Sequence, residues 1–340
     1  MRKKTPGVII AVDAMGGDLA PSAVVAGAVR AAARPNLEIT LVGPEEIVRA
    51  ELARHGPTPS TLTVVDAPDV ITMDESPLAA LRRKPRASVK VAAELVSDKH
   101  ADALFTAGHT GAGLLAAHAA LGVLPGVGRP ALAVTLPTRT GAAVLVDAGA
   151  NVECRPEHLV QFGLMGDAYA RVALGVAEPR VGLLSIGEEA GKGTDLIREA
   201  HDRLSSARLR FVGNIDARQV FSGSADVIVC DGFTGNIALK IGEGLAELIE
   251  QMLRQELGGA LASSAELGGS LERFKRRIDY AERGAAPLLG LTGLALIGHG
   301  RSSAHAIESG IVLAGQLVDG RMVERLADAL GVQPASGAGR

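Results

Sequence analysis

A lysine held between two glycines, Gly191-Lys192-Gly193, closes the run Ile186-Gly187-Glu188-Glu189-Ala190-Gly191-Lys192-Gly193-Thr194. Such a lysine is badly placed to support a core. It is well placed as a mobile ammonium group reaching a phosphate or a developing oxyanion. Glu188 and Glu189 stand close enough in sequence to hold it; a solvent-exposed lysine in a turn is the plainer alternative. A second run, Cys230-Asp231-Gly232-Phe233-Thr234-Gly235-Asn236, puts a carboxylate at the end of an apolar segment. That is a common position for a catalytic or substrate-orienting acid, so Asp231 pairs with Lys192 as the catalytic candidate, with Gly232 and Asn236 on the binding side. Cys230 abuts an apolar strand and an aspartate, both of which raise a thiol pKa, so it reads as a bystander rather than a nucleophile.

Four further glycine-rich loops offer backbone N–H groups to an anion. Asp13-Ala14-Met15-Gly16-Gly17-Asp18 supplies Asp13, Gly16, Gly17 and Asp18, with Asp18 as a helix cap in the alternative reading. Ala107-Gly108-His109-Thr110-Gly111-Ala112-Gly113 supplies His109, Thr110 and Gly111. In Asp147-Ala148-Gly149-Ala150-Asn151, Asn151 either reaches the ligand or caps a helix beginning near Pro156. Gly298-His299-Gly300-Arg301-Ser302-Ser303 reads as an anion cradle built from His299, Arg301, Ser302 and Ser303, or else as an ordinary serine cap. No cysteine–histidine cluster has metal spacing and no G-x-S-x-G elbow is present, so neither a resident metal nor a cofactor is called for; assistance by Mg²⁺ is not evident.

The elements that carry these loops follow one rhythm: a short apolar run, a glycine-rich turn, a helical pattern. Val8–Val12, Leu37–Val42, Leu62–Val65, Ala103–Phe105, Ala143–Val146, Val181–Leu184, Leu209–Val212 and Val227–Val229 read as buried strands. Uninterrupted apolar strands alternating with helices predict an αβα sandwich around a mostly parallel sheet, and ligands bind such sheets at the strands' carboxyl ends. Residues 8–332 read as one large domain, with flexible termini at 1–7 and 333–340. A long helix over Ile237–Gln255 breaks the rhythm, with Ile241, Leu245, Leu248, Ile249, Met252 and Leu253 on one stripe. A small-residue stretch (Gly258–Gly269) and a basic helix carrying Leu271, Phe274 and Ile278 complete a projecting hairpin over about 237–280, read as a dimer contact ahead of a membrane-touching arm.

Composition excludes several classes. Aromatics are 2% of 340 residues with no Trp, too few to stack bases, and a net charge of -3 argues against duplex DNA. Two cysteines cannot build a disulfide framework and suit a reducing compartment. No signal-peptide pattern or membrane-length apolar run follows the basic start, so the expected location is cytoplasmic.

The segments IAVDAMGGDLAP, AGHTGA, LVDAGAN, LLSIGEEAGKG, FVGNIDAR, VIVCDGFTGNIALK, and APLLG with IGHGRSS stand in the order found in the bacterial phosphate acyltransferase family of phospholipid synthesis, which the chain resembles from about Val8 to Leu317. The resemblance implies a fold similar to phosphotransacetylases and isopropylmalate-type dehydrogenases. It implies transfer of a fatty acyl group from acyl–acyl carrier protein to inorganic phosphate, the GKG and CDGF motifs carrying the site. It also implies a homodimer peripheral to the cytoplasmic face of the membrane, feeding a glycerol-3-phosphate acyltransferase. The sequence departs from that pattern at His109, where the family usually has Asn, and at Gly284-Ala285, where it has Gly-Gly. An acidic carrier protein needs a basic docking patch. Arg82, Arg83, Lys84 and Arg86 form the densest one and Lys275-Arg276-Arg277 the second. The rival readings are a phosphotransacetylase using coenzyme A thioesters, an NAD-dependent decarboxylating dehydrogenase, and a membrane scaffold without activity.

Overall fold

The computed structural model describes residues 7–263, 265–278 and 284–332. The chain runs β1 (Val8–Asp13), α1 (Ser22–Ala31), β2 (Leu37–Gly43), α2 (Glu45–Ala53), β3 (Leu62–Asp66), α3 (Pro77–Arg83), α4 (Ser88–Ser97), β4 (Ala103–Thr106) and α5 (Thr110–Leu121). It continues through β5 (Ala131–Thr138), β6 (Gly141–Val146), α6 (Pro156–Ala173), β7 (Arg180–Ser185), α7 (Asp195–Ser205), β8 (Arg210–Asp216) and β9 (Val227–Val229). Two long helices follow, α8 (Gly232–Ser263) and α9 (Ala265–Ile278), and then β10 (Ala286–Leu289), β11 (Leu294–Ile297), α10 (Ala304–Asp319) and α11 (Met322–Leu330).

All the strands join one 11-stranded sheet in the order β3-β2-β1-β4-β11-β10-β5-β6-β9-β7-β8. Each of its two wings is internally parallel, as the apolar runs predict. The centre is not: β10 pairs antiparallel with both β11 and β5, and β5 pairs antiparallel with β6. The three strands absent from the sequence reading, β5, β10 and β11, make this central seam. Two of them contain proline (Pro137 and Pro287), which cannot donate to a ladder and argues against a central strand.

The sheet is covered on both faces. One face packs α1, α6, α10 and α11 through Val24, Phe162, Met165, Ile311 and Leu326. The other packs α4 and α5 through Val89, Val96, Ala117 and Leu121. Strand β4 is buried along its whole length, which explains its lack of a polar alternation.

The hairpin is more helical than its glycines suggest. Helix α8 begins at Gly232 and runs through most of the small-residue stretch, and an Arg254–Glu272 ion pair of 3.2 Å folds α9 back along it. The stripe of Ile241, Leu245, Leu248, Ile249 and Met252 lies exposed rather than packed on its own domain. The termini 1–6 and 333–340, and the side chains of Leu261, Leu267, Ile278 and Lys275-Arg276-Arg277, lie outside the described residues.

Candidate active site

Pairing in register sets where the chemistry-bearing strand ends lie. Thr106 at the end of β4 stands beside Ile297 at the end of β11, and Val146 at the end of β6 beside Val229 at the end of β9. Because β10 is antiparallel to both β11 and β5, and β5 to β6, the two wings run in opposite directions, and Ala286 opposite Ile297 and Ala133 opposite Val146 bring both sets of carboxyl ends to the central seam. Four of the six glycine-rich loops, those over 107–113, 147–151, 230–236 and 298–303, therefore converge.

Between them lies a cavity of about 410 Å³. Its polar end is made by Thr110 and Gly111, Gly149, Asn236, His299 and Ser302. The first residues of α5, Thr110 and Gly111, and Ser302 just before α10 line it, so the positive ends of two helix dipoles lie at this cavity. His109 caps α5, its Nδ1 accepting from Gly111 N–H at 3.1 Å, which in the neutral ring leaves Nε2 as the donor. Ser303 caps α10 by accepting from Ala306 N–H at 3.2 Å, the alternative weighed for it. Ser302 lines the cavity at 5% exposure, and its Oγ has no partner among the described residues. His299 Nδ1 accepts from Arg301 N–H, while the Arg301 side chain is exposed.

Leu114, Leu132, Val134, Leu239 and Ile297 supply its apolar lining. A second cavity of about 410 Å³ begins where the first ends, sharing Leu239 and Glu243, and is walled by Leu136, Pro137, Phe221, Leu245, Ile249 and Phe274. The two cavities are neighbours, and the second, though mainly apolar, also carries Thr138 and Arg139.

Two cavity residues escaped the sequence reading. Lys240 and Glu243, one turn apart on α8, form a 2.8 Å ion pair at the junction of the cavities. The available signal was that Lys240 follows Asn236 by four residues, which puts both on one helix face.

A third unexpected group is Asp147, fully buried at the end of β6. Its Oδ1 accepts from the N–H groups of Leu132, Gly149 and Ala150, and its Oδ2 from the backbone and side-chain N–H of Asn151. Burial pushes this carboxyl above the usual aspartate range while those donors pull it down. All five partners are N–H groups, so a proton on either oxygen would face another donor; the arrangement is built for the carboxylate. Asn151 also donates to the Pro130 carbonyl at 2.7 Å, so its amide braces the loop and Arg155, not Asn151, occupies the cap of α6.

The start of α8 rests directly on this loop. A Cβ on Gly235 would stand 1.9 Å from the Asp147 carbonyl oxygen, so only glycine allows the approach. Asp231 caps α8, accepting from Thr234 N–H and Oγ1, both at 2.8 Å. Cys230 is buried beneath, its thiol pushed well up by burial first and by Asp147 next, and Cys154 is raised to about 11, chiefly by burial.

The first glycine loop braces rather than lines the cavity. Asp13 is 3% exposed and accepts from Thr106 Oγ1 at 2.7 Å, burial pushing its carboxyl up. A Cβ on Gly16 would stand 2.6 Å from Gly108 N, Gly17 has a positive φ of 113°, and Asp18 N–H donates to the Gly300 carbonyl at 2.8 Å. This loop therefore holds the β4 and β11 loops together. Asp18 does not cap α1, whose cap position is Pro21.

Lys192 is exposed and lines neither cavity. Its loop leaves β7, two strands from β6, and is tied outward: Glu188 accepts from Gln219 Nε2 at 3.1 Å, and the Glu189 carbonyl accepts from Lys192 N–H and from Asn214 Nδ2. Among the described residues no ion pair joins Lys192 to either glutamate or to Asp231. The basic segment is partly neutralised. Lys84 and Arg83 pair with Glu75 at 2.5 and 3.5 Å, Arg86 pairs with Asp66 at 2.8 Å, and Arg82 stays exposed.

The architecture is an α/β sandwich shared in fold with phosphotransacetylases and with dehydrogenases. The chain is similar in fold to a phosphotransacetylase from Streptococcus pyogenes, with a TM-score of 0.64, 19% identity, and coverage of 92% of this chain and 94% of that one. It is also similar to 4-hydroxythreonine-4-phosphate dehydrogenase from Klebsiella pneumoniae, at a TM-score of 0.51 and 16% identity over 91% of this chain and 98% of that one. Residues 8–325 match the family described as fatty acid synthesis protein, and the chain belongs to it. A phosphate acyltransferase of Nitratidesulfovibrio vulgaris is 48% identical over 331 residues, 95% of this chain and 94% of that one. One of Nostoc punctiforme is 48% identical over 328 residues, 94% and 95% of the two chains. The protein is an acyltransferase of this family. Among its described residues no helix is long and apolar enough to cross a membrane.

Proposed function

We propose that the protein transfers a fatty acyl group from acyl–acyl carrier protein to orthophosphate, releasing acyl phosphate for phospholipid synthesis. The observation that carries this is the pair of neighbouring cavities: one with two helix starts and an unpartnered serine, the other lined mainly by apolar side chains. An inorganic anion fits the first and an alkyl chain the second, and they meet where a thioester carbonyl must lie.

Orthophosphate near pH 7 is already largely a dianion, so it needs positioning more than deprotonation. One phosphate oxygen attacks the thioester carbon, and the carbonyl oxygen becomes the oxyanion of a tetrahedral intermediate. The carbon–sulfur bond then breaks, and the thiolate leaves on the carrier's prosthetic arm and takes its proton from water. N–H groups at the starts of α5 and α10 stabilise the charge that develops. Lys192, exposed on the β7 loop and lining neither cavity, is assigned to phosphate and oxyanion charge by its glycine-flanked motif alone and would have to swing in from that loop to supply it. Asp231 acts by fixing the first turn of α8, whose Asn236 faces the cavity. Ile241, Leu248 and Met252, the exposed stripe residues of α8 that line neither cavity, form the face on which a second copy sits, and Arg82 with its neighbours is where the acidic carrier docks.

The alternative donor is a coenzyme A thioester. Incubation with matched acyl–carrier protein and acyl-CoA, each with and without orthophosphate, separates them when acyl phosphate is trapped as the hydroxamate. The proposal expects phosphate-dependent product from the carrier-bound donor. Product from acyl-CoA alone, or thioester cleavage indifferent to phosphate, overturns it.

A further inference from the structure

We infer that Lys240 is the cation of the anion-binding end, a catalytic residue in contact with phosphate, and that Glu243 is the positioning residue that aims it; this rests on the phosphate-transfer reading above. Lys240 lines the polar cavity, whereas Lys192 lines neither cavity. The Lys240 side chain is 53% exposed, at the mouth, and its Nζ is held by Glu243 at 2.8 Å. Exposed pairs one turn apart on a helix are common and nearly neutral in energy. This pair differs in two respects. The Glu243 side chain is only 11% exposed, and its second oxygen, Oε1, is buried with no partner among the described residues. A carboxylate that shielded is retained at a cost, and here it holds an ammonium group at the cavity that the unpartnered Ser302 also lines.

The electrostatics agree. A dianion held by helix N-termini alone keeps most of its charge, and a lysine added at the mouth supplies a full positive charge within the same enclosure. Glu243 lines both cavities, and the second is walled mainly by Leu136, Phe221, Leu245 and Ile249, with Thr138 and Arg139 as its other polar groups. Its carboxylate therefore does two things by position: it holds Lys240 toward the anion, and it repels phosphate from the second cavity, keeping the nucleophile at the carbonyl end.

The test is steady-state kinetics of phosphate-dependent acyl phosphate formation by Lys240→Gln, Lys240→Arg, Glu243→Gln and the Lys240→Gln/Glu243→Gln double variant, each checked for an unchanged melting curve. Losing one charge-assisted contact raises the phosphate KM about 10- to 100-fold in Lys240→Gln, and Lys240→Arg recovers most of it. Glu243→Gln raises the phosphate KM several-fold, and the double variant is no worse than Lys240→Gln alone, because the glutamate acts through the lysine. The KM for the acyl donor stays within about twofold in Lys240→Gln, since the lysine touches the other substrate. An active wild type with an unchanged phosphate KM in Lys240→Gln refutes this inference and leaves the reaction standing. Strictly additive effects in the double variant refute the positioning role of Glu243. An inactive wild type would instead sink the proposed reaction itself.

Discussion

Replacing Asp147 by asparagine removes a single charge and one acceptor, and the geometry says how much that matters. Oδ1 accepts three N–H donors and Oδ2 accepts two. An asparagine amide must place its NH₂ against one of those sets. In the better orientation it faces the two donors of Asn151, one of which keeps the Pro130 carbonyl as a partner. Two charge-assisted hydrogen bonds disappear at about 1.5–3 kcal/mol each, and the three that remain weaken against a neutral oxygen. The expected loss is about 3–6 kcal/mol, a large part of the roughly 5–15 kcal/mol that holds an ordinary domain together. Urea unfolding of wild type and Asp147→Asn, followed by far-ultraviolet circular dichroism, measures it. Because α8 sits on this loop through Gly235, turnover should fall along with stability. A loss below about 1 kcal/mol would mean that the buried carboxylate is not the brace described, and the reasoning from donor count would fail.

Three further outcomes follow from other parts of the molecule. Lys192→Ala should fold normally and lose about 10²- to 10³-fold in turnover, the scale of a missing oxyanion donor, read in the hydroxamate assay. Leu239→Trp, at the junction of the cavities, should cut kcat/KM for long-chain donors by more than about tenfold while an acetyl donor stays near wild type, since a bulkier wall excludes only chains that pass it. Glu75, whose carboxyl is held at about 2 chiefly by its hydrogen bond to Lys84, should titrate by carbon-13 NMR far below a free glutamate. Because the folded value lies below the unfolded one, this contact stabilises above roughly pH 4.5 and is lost as pH falls toward 2.

The parallel wings were legible because their strands are buried on both faces and bounded by glycine turns, as Val8–Val12 and Ala103–Phe105 illustrate. The antiparallel centre was not. Pro137 and Pro287 counter a strand reading, and β10 and β11 are four residues each, too short for a period to show. The glycine loops named the strand ends where the cavity forms, and Thr110, Gly111, Asn236, His299 and Ser302 do meet there. Spacing alone could not separate residues facing the cavity from those bracing it. Asp13 and Asn151 look like ligands in sequence, yet in the fold they accept from Thr106 and donate to Pro130. Lys240 and Glu243 were hidden inside a long amphipathic helix, where a charged pair one turn apart ordinarily means a solvated face.

The central claim is that an inorganic oxyanion binds between the starts of α5 and α10 with Lys240 at its mouth. A crystal soaked in orthophosphate tests it most directly. The account predicts density for the ion within hydrogen-bond distance of Ser302 Oγ and the backbone N–H groups at the start of α5. Phosphate seated only around Gly191-Lys192-Gly193, with the cavity filled by water, would contradict it.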